Sequence, residues 1–303
     1  MLGTFASIEK KVIGQGTCVA YKTYSKSHGQ LVFQHFKREL WALKELEVVT
    51  KEDSVQNHIV QLMDNQESVN SYHLIFPFYK ETLMMQMDNS KKPQLAKDFL
   101  RQISKGLNYI HQRGVIHCDL SPSNILIDDT SGCMFICDFG CAHLDSDTNV
   151  EKSIAYEEIG TRYYKAPEHL FGSKIYKPST DVWSLGTIFL ELLIGYPIFN
   201  GESDIEQIGK FVFRLGKPSS QVQDEEMKNY PDTNKLVFFD DNDYDIEEYS
   251  DEEDNFTNTR LSLANILGKE SVSSNDREIV QRILTWSIKE RLTIPQLHEL
   301  LYL

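Results

Sequence analysis

Long hydrophobic runs are missing from this 303-residue chain: no apolar stretch reaches the roughly 18 residues that a membrane span requires. The start, MLGTFASIEKK, lacks the basic-then-apolar order of a secretory signal, so export is not expected. Cysteine is scarce, five in all, an odd number that does not suit a disulfide scaffold. Cys133, Cys137 and Cys141 recur every four residues, which raises a metal site, but no histidine pair completes a zinc pattern. Reduced thiols in an intracellular protein are the better reading. Basic clusters are lacking as well. With 31 Lys and Arg against 45 Asp and Glu the net charge is −14, which argues against a nucleic-acid-binding surface. Nothing resembles a nuclear import signal, so the expectation is cytoplasm, with passive or partner-driven entry to the nucleus.

What is present is enough apolar material, 41%, to bury the core of one or two domains. The acidic surplus is concentrated: between Asp240 and Asp254, in DDNDYDIEEYSDEED, ten of fifteen residues are acidic. That run reads as a solvated loop of about 238–255, and Ser250 ahead of Asp251, Glu252 and Glu253 is a context that acidophilic kinases favour.

No internal repeat is visible. Residues 1 to about 75 read as short strands and one helix: VIGQGTCVAYKTY, then GQLVF, the helical KRELWALKELEVV, then HIVQLMD and SYHLIFPF. Leu40, Leu43 and Leu46 give that helix one apolar face. FPFYKETL reads as a connector because Pro77 disrupts a central strand. From Pro93 the pattern turns helical, with Leu95, Phe99, Ile103, Leu107 and Ile110 in step as far as Gly114. DVWSLGTIFLELLIG is apolar nearly all round and should be a buried helix. The outcome is α+β: a small β-rich lobe with one helix (about 1–78), a hinge near Phe78–Glu81, and a larger, mainly helical lobe (about 82–303).

The chemistry lies in an ordered set of short motifs. His117-Cys118-Asp119-Leu120-Ser121-Pro122-Ser123-Asn124 follows the long helix, and Asp138-Phe139-Gly140 follows the apolar CMFIC. Ala166-Pro167-Glu168, Asp181-Val182-Trp183-Ser184-Leu185-Gly186 and Arg291 complete it. Phosphoryl transfer needs metal ions to neutralise phosphate charge and a carboxylate to orient the attacking hydroxyl. Asp119 suits the carboxylate role, while Asn124 and Asp138 suit two Mg²⁺ ions.

In order and spacing this set resembles the protein kinase family over essentially the whole chain. The resemblance implies the bilobal kinase fold, transfer of the γ-phosphate of ATP to a protein hydroxyl, and ATP with Mg²⁺ at the site. It places the catalytic residues at Asp119, Asn124 and Asp138, with the metal held by Asn124 and Asp138. Nucleotide contacts fall on Gly14, Gly16, Val19, His35, Phe76, Phe78, Leu126 and Asp138. It also implies a Glu168–Arg291 salt bridge, an Asp181 anchor beneath the catalytic loop, and a stack of Leu43, Leu62, His117 and Phe139 joining the lobes. Within the family, the stretch from Gly160 to Ile208 looks like the cyclin-dependent kinase branch. LIFPFYKETLMMQM and YKAPEHLFG look closest to divergent fungal kinases that phosphorylate the activation loop of cyclin-dependent kinases. Thr161 is consistent with a Ser/Thr substrate. The alternative is a pseudokinase scaffold or allosteric regulator.

Departures from the pattern cluster on the nucleotide side. Gly14-Gln15-Gly16 resembles a phosphate-covering loop that has lost its third glycine, or else a simple hairpin turn. Laying GQLVFQHF on the family's lysine-bearing strand puts Phe33 where a small alanine belongs and His35 where the lysine belongs. The next lysine, Lys37, lies two residues from Glu39 and so does not face it on a helix. A compact lobe, a shifted register or a missing stretch would each account for this. Cys118 replaces an arginine that grips activation-loop phosphate in many relatives, Tyr156 replaces the phosphorylatable threonine, and Glu157 and Glu158 offer fixed charge. These changes together imply a kinase independent of activation-loop phosphorylation. Ser121 replaces a lysine that steadies the γ-phosphate, and Lys165 replaces an arginine found in proline-directed relatives. The short connection before the helix removes surface on which cyclins dock, implying a monomer that works without a cyclin.

Overall fold

The computed structural model describes residues 5–14, 16–145, 162–239 and 262–302. Tyr156, Glu157, Glu158, Thr161 and the acidic run from Asp240 lie outside them. The N-terminal part is a sheet of β1 (Ser7–Ile13), β2 (Thr17–Ser25), β3 (Asp64–Glu67) and β4 (Ser71–Pro77), in the order β1-β2-β4-β3 and antiparallel throughout. On it lies α1 (Gly29–Leu46), followed along the chain by the short α2 (Lys51–Asn57). A ladder of β5 (Glu81–Thr82), β7 (Ile125–Ile127) and β8 (Met134–Ile136) and a second of β6 (Val115–Ile116) and β9 (His143–Leu144) carry the site loops. Helices make up the rest: α3 (Leu83–Gln86), α4 (Pro93–Gln112), α5 (Pro167–Leu170), α6 (Pro178–Ile194), α7 (Asp204–Leu215), α8 (Ser220–Val222), α9 (Leu263–Lys269), α10 (Ser274–Ile283) and α11 (Ile294–Tyr302). This is the bilobal α+β arrangement of the kinase fold.

Two local readings of the sequence are corrected. GQLVF is not a strand but the first turns of α1, which follows β2 after a single 3₁₀ turn at Lys26–His28. Val32 and Phe33 favour strand locally, but Val32, His35, Phe36, Glu39, Leu43 and Leu46 fall at helical steps and are all buried. Burying one continuous face outweighs a weak local propensity. HIVQLMD is likewise no ladder strand until its last residue, Asp64, which opens β3. Ile59 makes one isolated parallel bridge to Ile136, and Met63 donates to Ile75 as the chain enters β3.

The long helices match the sequence pattern. α4 packs on α6, whose residues from Thr180 to Ile194 are buried apart from the half-buried Glu191. Gly186 lets α10 close in, because a Cβ there would meet Ile283 Cγ2 at 2.2 Å. Gly195 ends α6 at a φ of 91°, where its N–H bonds the Glu191 carbonyl. The expected Glu168–Arg291 pair forms: the guanidinium donates to both carboxylate oxygens at 2.9 and 3.1 Å and to the carbonyls of Ser179 and Thr285. One hydrophobic core runs from Leu43 and Phe76 through Phe139 to Trp183 and Phe211.

Candidate active site

Alternation along β2 puts Ala20, Lys22 and Tyr24 on one face. Register sets Ala20 opposite Phe76 and Lys22 opposite Leu74. Phe76, Leu74 and Tyr24 share the core with Phe36 and Leu43 of α1, so this face meets the helix. Glu39, on the buried face of α1, reaches back to Lys22: Nζ lies 2.9 Å from Oε1 and 2.8 Å from Oε2. The same ammonium lies 2.9 Å from Asp138 Oδ1, and the Tyr24 hydroxyl donates to Glu39 Oε2. Lys22 is 8% exposed and Glu39 1%. Burial works against the charge of Lys22, but Asp138, Glu39 and Tyr24 together hold its pKa well above the ordinary value. Burial likewise opposes the charge of Asp138, yet Lys22 keeps its carboxyl below the usual carboxylate range.

The expected place of His35 is therefore corrected. His35 sits on α1 one turn before Glu39, stacked on Phe5 at 3.7 Å, while Phe33 points away against Tyr72. The group opposite Glu39 is Lys22, and its signal was in the sequence: Val19-Ala20-Tyr21-Lys22 has the V-A-x-K form of a lysine-bearing kinase strand. Gly14 and Gly16 are corrected with it. They turn β1 into β2 with φ of 54° and 100°, and no atom lies within 4 Å of a Cβ added to either. That hairpin stands about 20 Å along the strand from Lys22, six residues at the extended rise. Val19 points to the sheet face opposite Lys22. Phe76 shares the Lys22 face, Phe78 donates its N–H to the Cys18 carbonyl at 3.4 Å, and Leu126 sits half-buried between buried Ile125 and Ile127. Phe76, Phe78, Leu126 and Asp138 thus remain candidates for a nucleotide cleft between sheet and helices.

The loop from His117 to Asn124 hangs on Asp181 at the start of α6. Its carboxylate accepts the N–H groups of His117 (2.9 Å) and Cys118 (2.8 Å), and His111 Nε2 bonds it at 2.8 Å. Cys118 adopts a φ of 67°, an unfavourable setting for a residue with a side chain, held by those two bonds. His117 Nε2–H donates to the Cys137 carbonyl at 2.9 Å, leaving Nδ1 to accept from Asp119 N–H at 3.2 Å. Its ring meets Phe139 edge-on at 4.9 Å. Phe139 and Leu43 are in the core and Leu62 packs against it, consistent with the anticipated stack. Asn124 Nδ2 donates to the Asp119 carbonyl at 2.8 Å and to its Oδ2 at 3.2 Å. Ile125 pairs with Ile136, and Cys137 donates to the Asn124 carbonyl at 3.0 Å, so the β7–β8 hairpin sets Asn124 beside Asp138. An amide oxygen and a carboxylate are the hard donors that Mg²⁺ prefers, so the residues fit that ion.

Beside Asp119 a cleft of about 200 Å³ is lined by Leu120, Tyr164, Lys165, Ala166 and Tyr176. Its wall at Tyr164 rests on Glu191, which accepts from the phenol at 3.0 Å. Burial pushes the Glu191 carboxyl up to about 7, and the Tyr164 bond only partly offsets this. A carboxyl raised in the folded state contributes fully below the unfolded value near 4.5 and loses that contribution as pH climbs through 7. Glu191→Gln should therefore raise unfolding free energy at pH 8 by about 2 kcal/mol and leave it unchanged at pH 4.5. Urea melts of both proteins at the two pH values check this, and an equal effect at both would count against it.

Comparison with known proteins agrees with this geometry. The model of the protein kinase domain matches residues 2–303. Cyclin-dependent kinase 20 of Danio rerio is 35% identical over 204 residues, 66% of this chain and 56% of that protein. The chain thus spans little more than half the length of that relative. With the lysine–glutamate–aspartate cluster, the anchored loop and this match along nearly the whole sequence, the chain belongs to the protein kinase domain family.

Proposed function

We propose that the protein is a Ser/Thr kinase that transfers the γ-phosphate of ATP to a protein hydroxyl. The observation that carries this is the Lys22–Glu39–Asp138 cluster, all contacts at 2.8–2.9 Å, because the kinase reaction requires this lysine–glutamate pair and metal-binding aspartate together. It also removes the main support of the scaffold alternative, an absent lysine. Lys22 orients and neutralises the nucleotide phosphates, and Phe76, Phe78 and Leu126 border the space for its base. Asn124 and Asp138 would hold Mg²⁺, which when bound neutralises phosphate charge. Asp119, steadied by Asn124 and by the His117 ring, orients the substrate hydroxyl and accepts its proton. The adjoining cleft, with Lys165 at its wall, takes the substrate chain.

The finer reading is a kinase of the cyclin-dependent branch that acts on the activation loop of cyclin-dependent kinases, without a cyclin, in cytoplasm or nucleus. The direct passage from β2 to α1 through one 3₁₀ turn supports cyclin independence, since it leaves little surface ahead of the helix. The test is transfer of labelled phosphate from ATP–Mg²⁺ to a recombinant cyclin-dependent kinase, beside Asp119→Asn. Transfer that vanishes in the variant is the expected result. Absent transfer, or equal transfer in both proteins, would return the scaffold reading, and a melting temperature unmoved by ATP–Mg²⁺ would remove nucleotide binding as well.

A further inference from the structure

Helix α1 must keep one rotation about its axis for Glu39 to meet Lys22, and the residue before Glu39 is held by an unusual chain of rings. Arg38 Nη1 lies 3.2 Å from His143 Nε2. A guanidinium only donates, so Nε2 accepts and His143 is neutral. The His143 ring is stacked on Tyr176 at 4.0 Å and 17°, and Tyr176 in turn on His169 of α5 at 4.7 Å and 22°. His169 is fixed at both nitrogens: Nδ1–H donates to the Ser173 carbonyl and Nε2 accepts from the Thr180 hydroxyl of α6, each at 2.9 Å. The β6–β9 ladder sets His143 opposite Ile116, just before the His117–Asn124 loop. An unbroken line of side chains therefore runs from α1 to the buried α6.

We propose that His143 and Tyr176 are positioning residues, forming with His169 a brace of neutral rings that holds Arg38 and thereby keeps Glu39 turned toward Lys22. The brace is made of side chains alone and needs no added phosphate. It supplies a physical basis for the independence from activation-loop phosphorylation that Cys118 and Tyr156 imply. Burial, then the Arg38 charge, pushes His143 down to about 3, so the acceptor stays neutral across the physiological range. Three flat rings in contact resist sliding more than separate aliphatic contacts do, because offset stacking has a preferred geometry. Both act on the nucleotide side through Arg38 and α1, and Tyr176 in addition borders the cleft beside Asp119.

The inference rests on the kinase reading for its kinetic consequence, but not for its structural one. The test uses phosphatase-treated full chain and the variants His143→Leu, Tyr176→Ala and Tyr176→Phe. Two readouts are compared: the KM for ATP in phosphate transfer, and hydrogen exchange of the α1 amides without nucleotide. His143→Leu and Tyr176→Ala should speed exchange across residues 29–46 and raise the KM for ATP about tenfold, as expected for a typical coupling between sites. Tyr176→Phe keeps the ring and should match the parent in α1 exchange. Unchanged α1 exchange in the two loss variants, or α1 exchange in Tyr176→Phe as fast as in Tyr176→Ala, would overturn the brace. Should Tyr176→Ala not fold, His143→Leu decides the matter. If the parent transfers no phosphate, the kinase reading fails while the exchange data still judge the brace.

Discussion

Lys22→Met should lower phosphate transfer by about a hundredfold or more, the order seen when one preorganised charge-stabilising donor is removed from an active site. His35→Ala should cost far less, since His35 stacks on Phe5 while it is Lys22 that pairs with both Glu39 and Asp138. Lys22 is also a structural cation. Its loss leaves Glu39 buried with the Tyr24 hydroxyl and without its paired charge, a situation that costs about 3–5 kcal/mol. Activity loss through unfolding must therefore be separated from loss through chemistry. The double variant Lys22→Met with Glu39→Gln does so, because a neutral amide still accepts from Tyr24 and the carboxylate left without Lys22, Asp138, has a side chain 42% exposed to water. Its urea midpoint should recover most of the way while transfer stays low. Recovery of transfer along with stability would mean that Lys22 serves the fold only, and the proposed phosphate role would be lost.

The second large effect concerns stability alone. Arg291→Ala should lower unfolding free energy by about 3–5 kcal/mol, because it removes a bidentate partner from the buried Glu168 and strands that carboxylate. Arg291 also satisfies two carbonyls, those of Ser179 and Thr285, which ties α5, the start of α6 and the end of α10 into one unit. Arg291→Lys should recover little, since a single ammonium does not reproduce the planar fork. Burial works against the charge of Glu168, but Arg291 holds its carboxyl below the ordinary range. The stabilisation is accordingly present above that range and is lost as pH falls below it. Denaturant melts of the three proteins at neutral pH test this, and a change below about 1 kcal/mol for Arg291→Ala would place the pair with ordinary surface bridges.

The sequence alone determined those features that rest on local order. The helices α4 and α6 were legible because their burial follows a helical period or covers the whole circumference, and Gly195 marks the end of the latter, whose start at Pro178 came only with the structure. Asp119, Asn124, Asp138, Glu168, Asp181 and Arg291 were legible because each sits in a short motif whose order along the chain is itself informative. Their partners across the fold followed from the resemblance. What sequence did not resolve was the lysine. GQLVF carries strand-favouring Val and Phe in four-residue reach of a helix, and short apolar runs do not distinguish the two periods. Once that stretch is taken as strand, the search for a lysine moves to His35 and Lys37, and the glycines at 14 and 16 fall on the phosphate loop. Tertiary packing decided otherwise: α1 must bury Val32, Phe36, Leu43 and Leu46 on one side, which places Glu39 over β2 rather than beside its own neighbours. The brace from Arg38 to His169 was invisible for the same reason. Its members are 7 to 138 residues apart by number, and only the folding of β9, the Tyr176 segment and α5 against α1 sets their rings in line.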